Sequence, residues 1–163
     1  MRTTLLPFGV ALVAVCFASY FSAWKQILQL DGGVRTQTRP VLYLLGESIT
    51  EQGVNPAKSE WVALLQYRYQ RSTDVLPREF SGYNTKWFID FALPVVKNEL
   101  STISPSLITL WLGANDAALP NGQSSRQHVV VETYAANLEK IIHTLRINAP
   151  DASILVITPP HGG

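Results

Sequence analysis

The sequence is short of sulfur chemistry. It holds 163 residues and a single cysteine, Cys16, so an internal disulfide and a Cys-rich metal site are both excluded. An excess of either charge is missing too. Its 13 basic and 12 acidic residues leave a formal net charge of +1, which removes the electrostatic footprint of a nucleic-acid binder. There is no Asn-x-Ser/Thr sequon, no internal repeat, no low-complexity tract and no GxSxG nucleophile elbow. What remains is a chain 47% hydrophobic, enough for one core and one domain. The expected partner is a small molecule or lipid-like compound, with neither metal nor organic cofactor implied. Oligomeric state is left open.

Charge is also missing from Thr3 to Trp24, and Arg2 flanks that run. About 20 apolar residues span a bilayer as a helix, whereas a cleaved signal has a shorter apolar core followed by small residues. Residues 1–24 are therefore expected to be a signal peptide or a transmembrane anchor. Cys16-Phe17-Ala18 is a tolerable cleavage site, but the apolar run continues past it through Tyr20 and Phe21, which favours the anchor. A polar linker at 25–40 follows, containing Asp31-Gly32-Gly33. The expected localisation is the secretory pathway or a membrane, with association through residues 3–24. Positive charge on both flanks leaves the orientation open.

From residue 41 onward the pattern changes. Val41 to Leu45, Leu107 to Leu112 and Ile154 to Thr158 are almost continuously apolar, as strands covered on both faces are. A weaker run at Val75-Leu76 predicts a further strand nearer a sheet edge. Between them, Trp61, Leu64, Leu65 and Tyr69 recur at helical spacing. So do Phe88, Ala92, Val95 and Val96, with a kink expected at Pro94. Val130, Tyr134, Leu138, Ile141 and Leu145 make the clearest stripe, from about Val129 to Ile147, stopped by Asn148-Ala149-Pro150. Alternating strands and helices predict an α/β fold: a doubly wound, three-layer, flavodoxin-like parallel sheet with every strand's C-terminal end on one rim. Ligands bind at that rim.

Three rim segments carry polar residues and a glycine: Gly46-Glu47-Ser48-Ile49-Thr50, Phe80-Ser81-Gly82-Tyr83-Asn84-Thr85 and Gly113-Ala114-Asn115-Asp116. Ser48, just beyond a buried strand, has a nucleophile's position. By itself it reads better as a turn or N-cap serine. The other segments supply a glycine N–H at Gly82 and a carboxamide at Asn115. A hydroxyl, a bare N–H and a carboxamide on one rim fit acyl transfer.

These blocks resemble those of the SGNH (GDSL-type) hydrolases. Gly46 to Thr50 is similar to the GDSIT block, Gly82 fits the second-block glycine, and Gly113 to Asp116 matches the GxND block. Arg78 to Trp87, Leu112 to Leu119 and Gln127-His128-Val129 look most like the isoamyl acetate-hydrolysing esterases within that family. The resemblance implies an ester hydrolase acting on short-chain, acetate-type esters. Ser48 would be the nucleophile, and the N–H groups of Ser48 and Gly82 with the Asn115 side chain would form the oxyanion hole, supported by Glu47 and Asp116. The family's Asp-x-x-His block has no counterpart in the sequence. Residues 41–163 are accordingly expected to be a partial SGNH domain lacking the C-terminal strand and helices, a fragment of a longer product. As this chain it should be nearly inactive, keeping roughly 10³ to 10⁴-fold catalysis over water. A membrane-tethered, noncatalytic binding or remnant protein is the alternative.

Two departures bear on the site. Glu47 stands where the family usually has Asp, adding a methylene able to displace Ser48 or a loop hydrogen bond. Glu79 stands where the subgroup usually has Gly, and a positive φ there would introduce roughly 1 to 3 kcal/mol of strain. Among the histidines, His143 reads as solvated, His128 as a capping or surface residue, and His161 lacks an orienting acid nearby in sequence. Glu51 reads as solvated, and Tyr83 and Trp87 as core.

Overall fold

The computed structural model describes residues 39–159. The expectations for residues 1–24, most of the linker and His161 lie outside them. Among the described residues no helix is long and apolar enough to cross a membrane.

Four parallel strands form one sheet in the order β2-β1-β3-β4: β1 (Val41–Gly46), β2 (Asp74–Glu79), β3 (Leu107–Trp111) and β4 (Ser153–Val156). The flanking helices are α1 (Ser48–Gln52), α2 (Trp61–Tyr69), α3 (Thr85–Trp87), α4 (Leu93–Leu100) and α5 (Val131–Asn148). The expected three-layer α/β sheet is what forms. β1 shows why its sequence is unbroken apolar: Tyr43 and Leu45 join the core under α4 and α5, while Leu42 and Leu44 pack with Val62 on the opposite face. A strand with both faces covered needs apolar residues at every position.

The edges read less clearly. Of β2 only Val75 is buried, and Pro77 sits in the middle of the strand, which an edge tolerates because its missing N–H breaks no inner ladder. β4 is the other edge. It ends at Val156 rather than Thr158, with Leu155 and Val156 both exposed.

Two helical faces are corrected. On α2 the buried residue is Val62, and Leu64 and Tyr69 are exposed. The second helical run starts at Thr85, ahead of Phe88, and Val95 is exposed while Phe88, Ala92 and Val96 are buried. The irregularity expected at Pro94 is a π-turn over Phe88–Ala92, leaving Pro94 in the first turn of α4, where no N–H is required of it. On α5, Ile141 and Leu145 are buried as expected, whereas Val130 is an exposed N-cap.

Beneath α4 the fully buried Tyr43 donates its hydroxyl to Glu99, and Arg78 Nε donates to both Glu99 oxygens at 3.0 and 2.7 Å. Partial burial pushes the Glu99 carboxyl up, but the bonds from Tyr43 and Arg78 outweigh it and hold it below the usual range. Replacing Glu99 by alanine strands a buried phenol, so unfolding in urea is expected to show a loss of about 1 to 3 kcal/mol. Because the Glu99 carboxyl is depressed, its contribution is present at neutral pH and fades as pH falls through the lowered value.

Candidate active site

In a sheet of this order the chain reverses direction of winding between β1 and β3, opening a crevice beyond their C-terminal ends. Ser48 follows β1 and Asn115 follows β3. Gly46 is aligned with Glu79 of β2 on one side and with Trp111 of β3 on the other, so the three strands end level and their loops meet above them.

Ser48 opens α1, and Glu47 is the N-cap. The cap and turn alternatives therefore do not describe the serine. It is half-buried, and among the described residues neither its hydroxyl nor its N–H has a protein partner. The Gly82 N–H has none either. Gly82 sits in a turn closed by Tyr83 N–H to Phe80 carbonyl (3.0 Å) and has a φ of 76°, a left-handed conformation that glycine adopts without strain.

Glu47 turns out to hold the site together. Its side chain is 1% exposed; Oε1 accepts the Ala114 N–H at 2.8 Å and Oε2 accepts from Asn115 Nδ2. The extra methylene is used in reaching across to the third loop. Burial pushes this carboxyl up, and the N–H groups donated to it offset part of the rise. The strain expected at Glu79 does not arise: among the described residues the only non-glycine with positive φ is Ser59. Glu79 is extended, the last residue of β2.

Asn115 has both amide hydrogens committed, one to Glu47 and one to the Tyr83 carbonyl at 2.9 Å. Its Oδ1 accepts from Gln127 Nε2 at 3.2 Å. Asp116, buried at 3%, receives the Thr85 N–H on both oxygens at 3.0 Å and the Thr85 hydroxyl at 2.5 Å. It thereby fastens the β3 loop to the start of α3. Burial raises this carboxyl as well, and the Thr85 bonds pull against the rise. Gly113, at a φ of 127°, passes against the ring of Tyr134.

Two residues outside the expected set complete the arrangement. Asn84 caps α3, accepting the Trp87 N–H at 2.9 Å, and donates through Nδ2 to the Gln127 carbonyl at 2.9 Å. The first half has a local signature, an Asn just ahead of a helical run; the second links positions far apart in sequence. Gln127 also donates to the Gly82 carbonyl at 2.8 Å.

The histidines fall as follows. His128 is the C-cap of the 3₁₀ turn Ser125–Gln127, its N–H donating to the Ser125 carbonyl at 3.1 Å, and its ring also holds the Ala118 carbonyl through Nδ1 at 2.6 Å; His143 is exposed on α5 as expected. Glu51 is exposed. Tyr83 and Trp87 are half-buried, and Tyr83 packs at a tilt on Phe80 with ring centroids 5.8 Å apart. Among the described residues no cluster of His, Cys, Asp and Glu could hold a metal ion.

Known proteins resemble this chain in sequence or in fold. A GDSL esterase/lipase of Arabidopsis thaliana is 41% identical over 122 residues, covering 75% of this chain and 49% of that protein. A human isoamyl acetate-hydrolyzing esterase 1 homolog is 37% identical over 121 residues, covering 74% and 48%. This chain thus spans about half the length of the curated relatives it matches. Among solved structures, the SGNH-hydrolase family esterase AlinE4 superimposes with a TM-score of 0.55 at 20% identity, over 77% of this chain and 63% of that one; at that identity it speaks for the fold. The model of the GDSL-like lipase/acylhydrolase family matches residues 44–163, and the chain belongs to that family.

Proposed function

We propose that this chain carries the nucleophile and oxyanion hole of a serine ester hydrolase, with short-chain, acetate-type esters as substrates. The observation that carries the reading is that, among the described residues, the hydroxyl and N–H of half-buried Ser48, after β1, and the N–H of Gly82, after the level-ending β2, have no protein partner. Ser48 Oγ attacks the ester carbonyl and releases the alcohol, and water then cleaves the acyl-Ser48 bond. The charge that develops on the carbonyl oxygen is met by the two N–H groups and by Asn115. Since both Asn115 hydrogens are engaged, its contribution comes by sharing the Tyr83 bond in a three-centre arrangement or by exchanging it. The acetate preference draws its support from the name of the human relative, an isoamyl acetate-hydrolyzing esterase 1 homolog. Residues 3–24, free of charge, are the proposed membrane-targeting segment.

A second reading, a noncatalytic ester-binding protein, is favoured by one observation: among the described residues no histidine is bonded to Ser48. A reactive p-nitrophenyl alkylphosphonate separates the two. In the hydrolase reading, Ser48 Oγ bonds to phosphorus, one equivalent of nitrophenolate leaves, and the serine proton passes to solvent. Mass spectrometry should place the adduct on Ser48, and Ser48→Ala should abolish it. An adduct elsewhere, or release unaffected by Ser48→Ala, sinks the hydrolase. Saturable ester binding without any adduct advances the second reading.

A further inference from the structure

Asn115 and Gly82 lie on different loops, and an oxyanion hole works only when its donors point at one place. The carboxamide of Asn115 has two orientations that differ by exchanging oxygen and nitrogen. Its surroundings select one. Glu47 Oε2 and the Tyr83 carbonyl are acceptors on the Nδ2 side, and Gln127 Nε2 is a donor on the Oδ1 side. The reversed orientation would set oxygen against two acceptors and nitrogen against a donor.

Gln127 does more than favour that orientation. One of its amide hydrogens goes to Asn115 Oδ1 at 3.2 Å and the other to the Gly82 carbonyl at 2.8 Å. A single planar amide therefore ties the carboxamide to the glycine peptide. The amide is itself held from behind. The Gln127 carbonyl accepts from Asn84 Nδ2 at 2.9 Å, and its N–H donates to the Ser124 carbonyl at 2.8 Å within the 3₁₀ turn Ser125–Gln127. Beyond it, the Val129 N–H donates to the Asp116 carbonyl at 3.0 Å and His128 grips the Ala118 carbonyl. The segment carrying Gln127 is thus anchored both to the start of α3 and to the loop that carries Asn115.

We infer that Gln127 is the positioning residue of this site, setting the direction of the Asn115 carboxamide and of the Gly82 peptide through its two donated hydrogen bonds. Its catalytic consequence rests on the hydrolase reading above; its structural content does not. Gln127 touches no reacting atom in this assignment, so its loss acts through Asn115 and Gly82.

Gln127→Met keeps the length of the side chain and removes both donors, whereas Gln127→Glu places a carboxylate against two acceptor oxygens. In the full chain, both are expected to slow the saturated rate of Ser48 phosphonylation by about 10²-fold, the scale of a 1 Å misplacement. Half-saturating reagent and the urea midpoint of Gln127→Met should stay near those of the wild type. Equal rates in all three proteins overturn the assignment, as does a loss of rate that tracks a loss of fold. The side-chain amide resonances of Asn115 in a ¹⁵N-labelled sample give a second readout that needs no reaction. They should shift in Gln127→Met and collapse toward exchange in Gln127→Glu as the carboxamide turns, and unchanged resonances overturn the assignment. If wild-type Ser48 takes no label, the hydrolase reading fails alone, and the Asn115 resonances still decide for or against Gln127.

Discussion

Replacing Gly113 by alanine is expected to be among the most destabilising single changes in this domain. The residue lies directly after Leu112, where the chain leaves β3 and turns into the loop that carries Asn115 and Asp116. Its φ of 127° is a conformation that side chains avoid, and a Cβ built there meets Tyr134 Oη at 2.8 Å and two ring carbons at 3.0 Å. Tyr134 has little freedom to withdraw, because its hydroxyl donates to the Leu112 carbonyl at 3.0 Å. Backbone strain and overpacking each cost about 1 to 3 kcal/mol, so the sum is roughly 2 to 6 kcal/mol in urea unfolding. A double-mutant cycle separates the two. With Tyr134→Ala in place the steric share should vanish and the backbone share persist, giving a coupling of about 1 to 3 kcal/mol. Additive effects would show that the ring is not what Gly113 makes room for. The loop displaced by this change holds two of the groups assigned to the site, so Ser48 labelling should weaken even in the fraction that folds.

How much of this was legible follows from where each residue's partners lie. β1 and β3 are central strands with both faces covered, and a continuous apolar run announces that condition locally. β2 announces much less. Past Val75-Leu76 it continues as Pro77-Arg78-Glu79, residues acceptable in an edge strand and uninformative as a pattern. On α2 the helical spacing was visible but its phase was not. Trp61 and Leu65 lie against the core with Val62, while Leu64 and Tyr69 turn outward, since a nine-residue helix with apolar residues on several sides does not declare its buried face.

The site divides in the same way. Ser48, Gly82 and Asn115 each stand in a short glycine-bearing segment after a strand, so the sequence marks them one loop at a time. The contact that holds Glu47 against Asn115 crosses 68 positions, that from Gln127 to Gly82 crosses 45, and that from Thr85 to Asp116 crosses 31. No local pattern encodes such pairs. Glu47 looked like a disturbance of the serine because its length could be judged but the distance it had to span could not.

That distance makes Glu47→Gln the more informative change, and it is expected to cost roughly 1 to 3 kcal/mol although it alters only one heavy atom. The carboxyl group accepts on both oxygens, from the Ala114 N–H and from Asn115 Nδ2, and it keeps an acceptor lone pair on each oxygen whether ionised or protonated. A carboxamide has one oxygen. Whichever way it is turned, its NH₂ group faces one of those N–H donors at a position closed to bulk solvent. The pH dependence has a definite sign. Burial raises the Glu47 carboxyl, with the donated N–H groups only partly opposing it. Its favourable contribution is therefore complete below the ordinary carboxyl value near 4.3 and is lost as pH rises through the raised folded value. Urea unfolding at a series of pH values should show the wild-type advantage over Glu47→Gln narrowing as pH climbs from about 4. Asp116, raised by burial in the same way, also raises Glu47 through its charge, so its slope cancels only in part and its coupling to Glu47 belongs to the difference. An advantage that widens with pH would mean that the N–H groups donated to Glu47 outweigh its burial, and that the site is held by a carboxylate the fold keeps ionised.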